Sequence, residues 1–481
     1  MPDQFLGFCW FNLPPYARAK ILANEPDTVW IFGAGASHHY NLNRFGVPVP
    51  LASGFFEAFN KLPSSQELNT HVGPLVSFLE HYRGVPPHAI PTWNENIEDF
   101  MTSVEAELER LRVKRAKRKL TTEEFARVFS FGTVFNNMHF IFANVLNESQ
   151  NGASISLYRE LLNLCGPNDT FMTFNWDTLL DRALADSGGW SPNEGYGLRF
   201  AAALDSSWKK KVCGSRQFKT TWKLLKLHGS TNWLVPLVGV QFQTVKFQSI
   251  VPNSDRFFLY WHSNLAYSTH KGRWRGGYAP TCYCYYPPNI PGRYFKRAEI
   301  SAPRGKVIVR WGPRIISPFE ELHEGGVPSS PVLITPLRQK KYEMYASTIG
   351  SVWAQAEDRL KSAKRIVIIG YSFPLTDVRP RKLLRSVLNS RRGEIELEIV
   401  APGVAEIASR IGEDVLAKAK RFTPHDMKFE DFLNTMCRRV PERMARAAAK
   451  DSDVRDWLLK LYMLNQMTPE QRARLGADKV S

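Results

Sequence analysis

Hydrophobic positions along the chain fall into short unbroken runs separated by longer stretches of helical periodicity. TVWIF at 28–32 is apolar and β-branched and stops at Gly33-Ala34-Gly35, which predicts a strand followed by a tight turn. Residues 54–83 repeat apolar clusters at helical spacing, and NIEDFMTSVEAELERLRVKRAKRKL predicts a long amphipathic helix over about 96–120. Thr121, three residues before Glu124, forms a capping box that starts a further helix through FARVFSFGTVFNNMHFIFANVL. Most of 54–165 therefore reads as a helical insertion after the first strand.

Strand character returns at TFMTFNW (170–176), followed by a helix at TLLDRAL, and again at WKLLKLHGSTNW (222–233). From 234 to about 330 short β-like runs (QFQTVKFQSIV, RFFLYWH, TCYCYYPP, KVIVRW) sit between Pro, Gly and Asn, which predicts a small β-rich insertion. The sheet is expected to resume with PVLITP (331–336), KRIVIIGYSFP (364–374) and EIELEIVAPG (394–403), with helices between them. Strands that alternate with helices and are continuously apolar predict an α/β fold, a doubly wound parallel sheet covered on both faces. The expected division is a nucleotide-binding unit over 1–405 that carries both insertions, and a helical region over 406–481.

Composition changes this picture little. Hydrophobic residues at 43% and charged residues at 23% are ordinary for a globular chain. Cys9, Cys165, Cys213, Cys282, Cys284 and Cys437 are scattered, as in a reducing compartment. The opening residues lack a basic region followed by an apolar stretch, and no run approaches about 18 apolar residues, so a soluble cytoplasmic protein off the membrane is expected. The formal charge of +17 does matter, because a field of that sign attracts nucleic acid, phosphorylated small molecules or an acidic partner. Its densest stretches are RVKRAKRK (112–119), KKK (209–211), KGRWR (271–275) and RPRK (379–382).

The candidate chemistry lies in the turns. A dinucleotide fingerprint of the oxidoreductase type needs a third glycine three residues after Gly35 and an acid closing the next strand. Position 38 is His38, and the first later acid, Glu57, falls in a predicted helix, so that pattern fails. Three more turns follow predicted strands, however: Phe174-Asn175-Trp176-Asp177, Leu227-His228-Gly229-Ser230 and Gly370-Tyr371-Ser372-Phe373. Ligands of open parallel sheets bind at the carboxyl ends of the strands, where these turns can converge. Small residues admit a pyrophosphate, and Asn, Asp and His supply hydrogen bonds and proton transfer.

In that order GAGAS, FNWD, LHGS and GYS resemble the loops of the sirtuin superfamily, in particular a divergent sirtuin-like branch found in bacterial defence proteins; the resemblance spans roughly 28–405. It implies a Rossmann-like fold variant that binds NAD as substrate. Gly33, Ala34, Gly35 and Ser37 would line the phosphates and the adjacent ribose. Asn175 would orient the nicotinamide ribose and a water, Asp177 would hold the carboxamide, and His228 would be the base. Gly370 and Ser372 would contact phosphate or the adenosine ribose. GVPVPL (46–51) keeps Gly46 and Pro48 of the G-I-P-D-F-R segment of a deacylase but lacks its Asp, Phe and Arg. Cys282-Tyr283-Cys284 stands without a second pair, so no zinc ribbon is expected.

With these departures, the resemblance implies an NAD glycohydrolase that releases nicotinamide and ADP-ribose or a cyclised product, acting as the effector of an anti-phage system through NAD depletion and abortive infection. The implied partners are further copies of the chain, a HerA-like ATPase or an Argonaute-like protein. The alternatives are an NAD-dependent protein deacylase or ADP-ribosyltransferase, and a nucleic-acid-binding subunit with a nucleotide-sensing pocket.

Overall fold

A computed structural model of the chain describes residues 21–22, 25–38, 46–62, 69–150, 155–192, 194–198, 200, 202–205, 222–238, 251–252, 258–261, 282–285, 307–310, 327–337, 340 and 346–466. The basic stretches at 209–211 and 271–275, Cys9, Cys213 and the end of the C-terminal region lie outside the described residues. In chain order the strands are β1 (Thr28–Phe32), β2 (Thr170–Thr173), β3 (Ala202–Asp205), β4 (Lys223–Lys226), β5 (Gly229–Val238), β6 (Val251–Pro252) and β7 (Phe258–Trp261). There follow β8 (Cys282–Tyr285), β9 (Val307–Arg310), β10 (Val327–Leu333), β11 (Arg365–Ile369), β12 (Glu396–Val400) and β13 (Arg421–His425).

Both faces of β1, β2 and β11 are buried at every position, which is why their apolar residues run together rather than alternate. They belong to a six-stranded sheet of order β13-β12-β11-β1-β2-β4 in which every pairing is parallel. With its flanking helices this is the expected doubly wound, Rossmann-like α/β fold. The chain builds outward from β1 through β2 to β4, then returns to the other side of β1 with β11, β12 and β13. The order reverses between β1 and β11, so the topological switch point of the sheet lies there.

A second sheet runs β3-β7-β5-β10-β8-β9, with β6 paired to β5. PVLITP was expected to resume the parallel sheet, and the structure corrects this: β10 pairs antiparallel with β5 and β8. A short apolar run fits either sheet, and only its partner decides. A second correction concerns 406–481, expected to be helical. RFTPH forms β13, the edge strand beside β12, and carries the parallel sheet past residue 405. Its partly exposed pattern and Pro424 suit an edge strand, and they also hide it from a search for apolar runs.

The helical insertion forms as the periodicity predicts, with helices Ile97–Lys117 and Thr122–Ser149. The capping box is reciprocal: Glu124 N donates to Thr121 Oγ1 at 3.2 Å and Thr121 N to Glu124 Oε2 at 3.1 Å. Its core is aromatic, with Phe78 edge-on to Phe131 at 4.8 Å and Phe56 against Trp93 at 4.4 Å between ring centroids. The basic stretch at 112–119 is a charged helix face: Arg112 pairs with Glu109, and Lys114 and Arg118 both reach Glu124. Among the described residues no helix is long and apolar enough to cross a membrane.

Candidate functional site

The four turns are stitched to one another at the carboxyl edge of the parallel sheet. Gly33 N donates to Ile369 O at 3.0 Å and Gly35 N to Gly370 O at 2.9 Å, which locks the turn after β1 onto the turn after β11. Phe174 N donates to Phe32 O at 3.0 Å, and Leu227 N to Thr173 O at 2.9 Å, which adds the turns after β2 and β4. The glycines are required by this contact. A Cβ on Gly33 would lie 2.5 Å from Tyr371 Cα, and one on Gly370, whose φ is 65°, would lie 2.2 Å from Ala36 N.

Above the turns lies a cavity of about 640 Å³, the size of a pocket for a large cofactor. Every strand end from β12 to β4 contributes to its wall in sheet order. Ala401 and Pro402 follow β12, Gly370, Tyr371 and Ser372 follow β11, and Ala34, Gly35 and His38 follow β1; Asn175, Trp176 and Asp177 follow β2, and His228 follows β4. The helical insertion closes one side with Phe55, Ile97, Glu98, Phe142 and Leu146.

Seven of the nine residues singled out from the sequence line this cavity: Ala34, Gly35, Asn175, Asp177, His228, Gly370 and Ser372. Gly33 and Ser37 stand behind the wall. Ser37 is fully buried, with its hydroxyl 3.1 Å from Tyr158 Oη and accepting from Asn175 Nδ2 at 3.0 Å. Asn175 Nδ2 also donates to Gly33 O at 3.0 Å. Both amide hydrogens are thus engaged, and Oδ1 is what Asn175 has left for a ligand.

Asp177 Oδ1 accepts from Leu179 N at 3.0 Å, a local turn that leads into the helix Leu179–Asp186. Burial pushes the Asp177 carboxyl up from its ordinary value, against the pull of Lys226. Lys226 is fully buried, donates to the Asp177 carbonyl, and pairs with Asp181 at 3.0 Å. Tyr196 donates to Asp181 and accepts from Asn232 at 3.2 Å, so the floor of the Asn175-Asp177 turn is a closed polar network.

His228 is 3% exposed and lies between Phe174 and Trp176, with ring centroids at 5.1 and 5.7 Å. Its Nε2 is 3.1 Å from Asp377 Oδ2. Sequence reasoning missed Asp377, which follows Gly370 by seven positions in GYSFPLTD and has no motif of its own. Burial alone would raise its carboxyl, but the His228 ring, Lys340 and the Tyr371 hydroxyl together hold it at about 2. The basic stretch 379–382 is partly structural here: Arg379 stacks on Trp353 at 4.2 Å and Arg381 donates to Leu375 O at 2.6 Å. Among the described residues no group of three or more His, Cys, Asp or Glu could hold a metal ion.

No family model and no curated protein matches the chain. Among solved structures it is similar to a mutant Sir2 homologue in complex with ADP-ribose, at 13% identity and a TM-score of 0.33, covering 90% of this chain and 98% of that one. A Sir2 homologue in complex with NAD matches at 11% identity and a TM-score of 0.33, covering 89% and 93%. Sir2Tm bound to a propionylated peptide matches at 13% and 0.28, covering 86% and 93%.

Proposed function

We propose that the cavity binds NAD and that the protein cleaves the bond between nicotinamide and ribose, with water as the acceptor. The observation that carries this reading is the sequence of wall chemistries from β12 to β4. Four strand spacings of about 4.8 Å make roughly 19 Å, the reach of an extended dinucleotide. Val400, Pro402, Ile407 and Phe429 give an apolar seat for adenine at one end. The paired glycine turns come next, where the backbone leaves room for a pyrophosphate. Asn175, Asp177 and His228 come last, where the nicotinamide ribose would lie.

At that end the departure of nicotinamide leaves positive charge on the ribose. Asn175 Oδ1 is placed to orient a water or hydroxyl against it, the Asp177 region to receive the carboxamide, and His228 to take the proton from the attacking oxygen. The aromatic wall excludes bulk water while the charge develops. Following the resemblance in its loops, we further propose that the protein is an anti-phage effector that depletes NAD, working as an oligomer or with a HerA-like or Argonaute-like partner.

A second reading has its own support. Phe55, Phe142, Leu146 and Trp176 form an apolar wall beside His228 that would accept an acyl chain, as an NAD-dependent deacylase requires. One experiment separates the two. Purified protein is incubated with NAD alone and with NAD plus an acyl-lysine peptide, beside His228→Ala; nicotinamide is measured by chromatography and NAD binding by calorimetry. Release with NAD alone, lost in His228→Ala, supports the hydrolase. Release only with the peptide supports the deacylase, and absence of NAD binding overturns both.

A further inference from the structure

Asp377 lies outside every motif in the sequence, yet it is the carboxylate that meets His228. Its Oδ2 is 3.1 Å from His228 Nε2 and accepts from Tyr371 Oη at 2.9 Å, with both acid and imidazole almost wholly buried. Tyr371 is itself fixed by stacking on Phe174, at 4.1 Å between centroids and 20° between planes. The imidazole is therefore flanked by aromatic rings and meets at its edge the Asp377 oxygen, whose orientation is fixed in turn.

The turn that delivers Asp377 carries backbone strain. Phe373, at φ 47°, is the one non-glycine residue with positive φ among the described residues, and Gly370 before it stands at 65°. An aromatic residue in that region is strained and persists only where the surroundings impose it. Here the surroundings are the buried Phe373 side chain, the turn bond from Asp377 N to Pro374 O at 2.9 Å, and the His228 contact. Thr376 Oγ1 also donates to Glu98 at 3.1 Å, and Lys340 pairs with Glu98 at 2.8 Å, so the segment is tied down on both sides of the cavity.

Resting on the reading of His228 as the base, we propose that Asp377 is its positioning residue: its carboxylate accepts a hydrogen bond from the Nε2–H, fixes the tautomer of the ring, and stabilises the imidazolium that forms during the reaction. The proton leaves the attacking oxygen for Nδ1, the oxygen keeps its electron pair and bonds to the ribosyl carbon, and nicotinamide departs with the electrons of the broken bond. Asp377 stays ionised throughout, in keeping with the low value at which its neighbours hold it. Tyr371, donating to the same oxygen, keeps the carboxylate from turning away.

The test compares unmodified protein with Asp377→Asn, Asp377→Glu and Tyr371→Phe. It reads nicotinamide release, NAD affinity and the ring nitrogens of His228 by 15N NMR, with the His228 signal identified by its absence in His228→Ala. For Asp377→Asn the expected result is a fall in kcat of about 10²- to 10⁴-fold with KM changed no more than about threefold. Asp377→Glu should regain part of that loss, and Tyr371→Phe should lose roughly tenfold. In the unmodified protein, above the ordinary imidazole range, the ring should carry its proton on Nε2, and Asp377→Asn should mix the tautomers. A proton on Nδ1 in the unmodified protein overturns the proposal without any variant having to fold. So does an Asp377→Asn protein with unchanged kcat. Should the unmodified protein bind but not cleave NAD, the hydrolase reading fails and the ring nitrogens alone decide the role of Asp377.

Discussion

A methyl group added at Gly370 would meet the Ala36 amide nitrogen at 2.2 Å and the Gly35 carbonyl carbon at 2.6 Å, and the residue's φ of 65° disfavours any side chain. Both neighbours are backbone of a buried turn and cannot swing aside. Gly370→Ala should therefore cost about 3 kcal/mol of stability, read by denaturant unfolding, and should weaken NAD binding. Loss of binding with full stability would refute the packing account. This glycine and Gly33 were legible in the sequence as turn residues. That they serve turn-against-turn packing before any phosphate is visible only once β1 and β11 are neighbours. Ser37 teaches the same lesson: it belongs to the right motif, but it acts behind the wall by holding Asn175.

At the scale of elements, the outer half of the parallel sheet is tied by one carboxylate. Glu398 on β12 accepts from Arg365 on β11 at 2.8 Å and meets His425 on β13 at 2.9 Å. Burial alone would raise the Glu398 carboxyl, but the His425 hydrogen bond and the Arg365 charge hold it at about 2. Its folded value lies below its unfolded one, as does that of Asp377. The stabilisation is thus present above the unfolded carboxylate range and is lost as pH falls through about 2. Unfolding free energy should drop by about 2–3 kcal/mol per carboxylate between roughly pH 4.5 and pH 2, and Glu398→Gln should remove one share of that slope. A flat profile across this window would refute the linkage. The acid-base pattern was invisible in sequence because β13 was hidden: five partly exposed residues with a proline carry no apolar signal.

For the molecule as a whole, the cavity joins parts that are distant in the chain: five strand ends, the helical insertion, and Pro336 and Lys340. Glu98 from the insertion binds Lys340 and Thr376 together across the site. A ligand filling this space binds the folded chain and not the unfolded one. NAD at about one hundred times its Kd should stabilise the protein by about 2.7 kcal/mol, seen as a rise of a few degrees in Tm. ADP-ribose should give much of the same shift, because it retains the adenine and pyrophosphate contacts. No shift with either would argue against the dinucleotide reading of the cavity.

The strands of the inner sheet, the helices of the insertion and the order of the four turns can all be read from local sequence. Each of these is written locally, as a buried apolar run, a 3.6-residue period, a capping box or a glycine at a strand end. Tertiary structure decided what depends on partners: β10 joined the antiparallel sheet, β13 closed the parallel one, and Asp377 came to rest on His228. Side-chain type and spacing specify how a segment curls. Which segment it then meets is set by burial and hydrogen bonding across many residues, and no short window of sequence contains that choice.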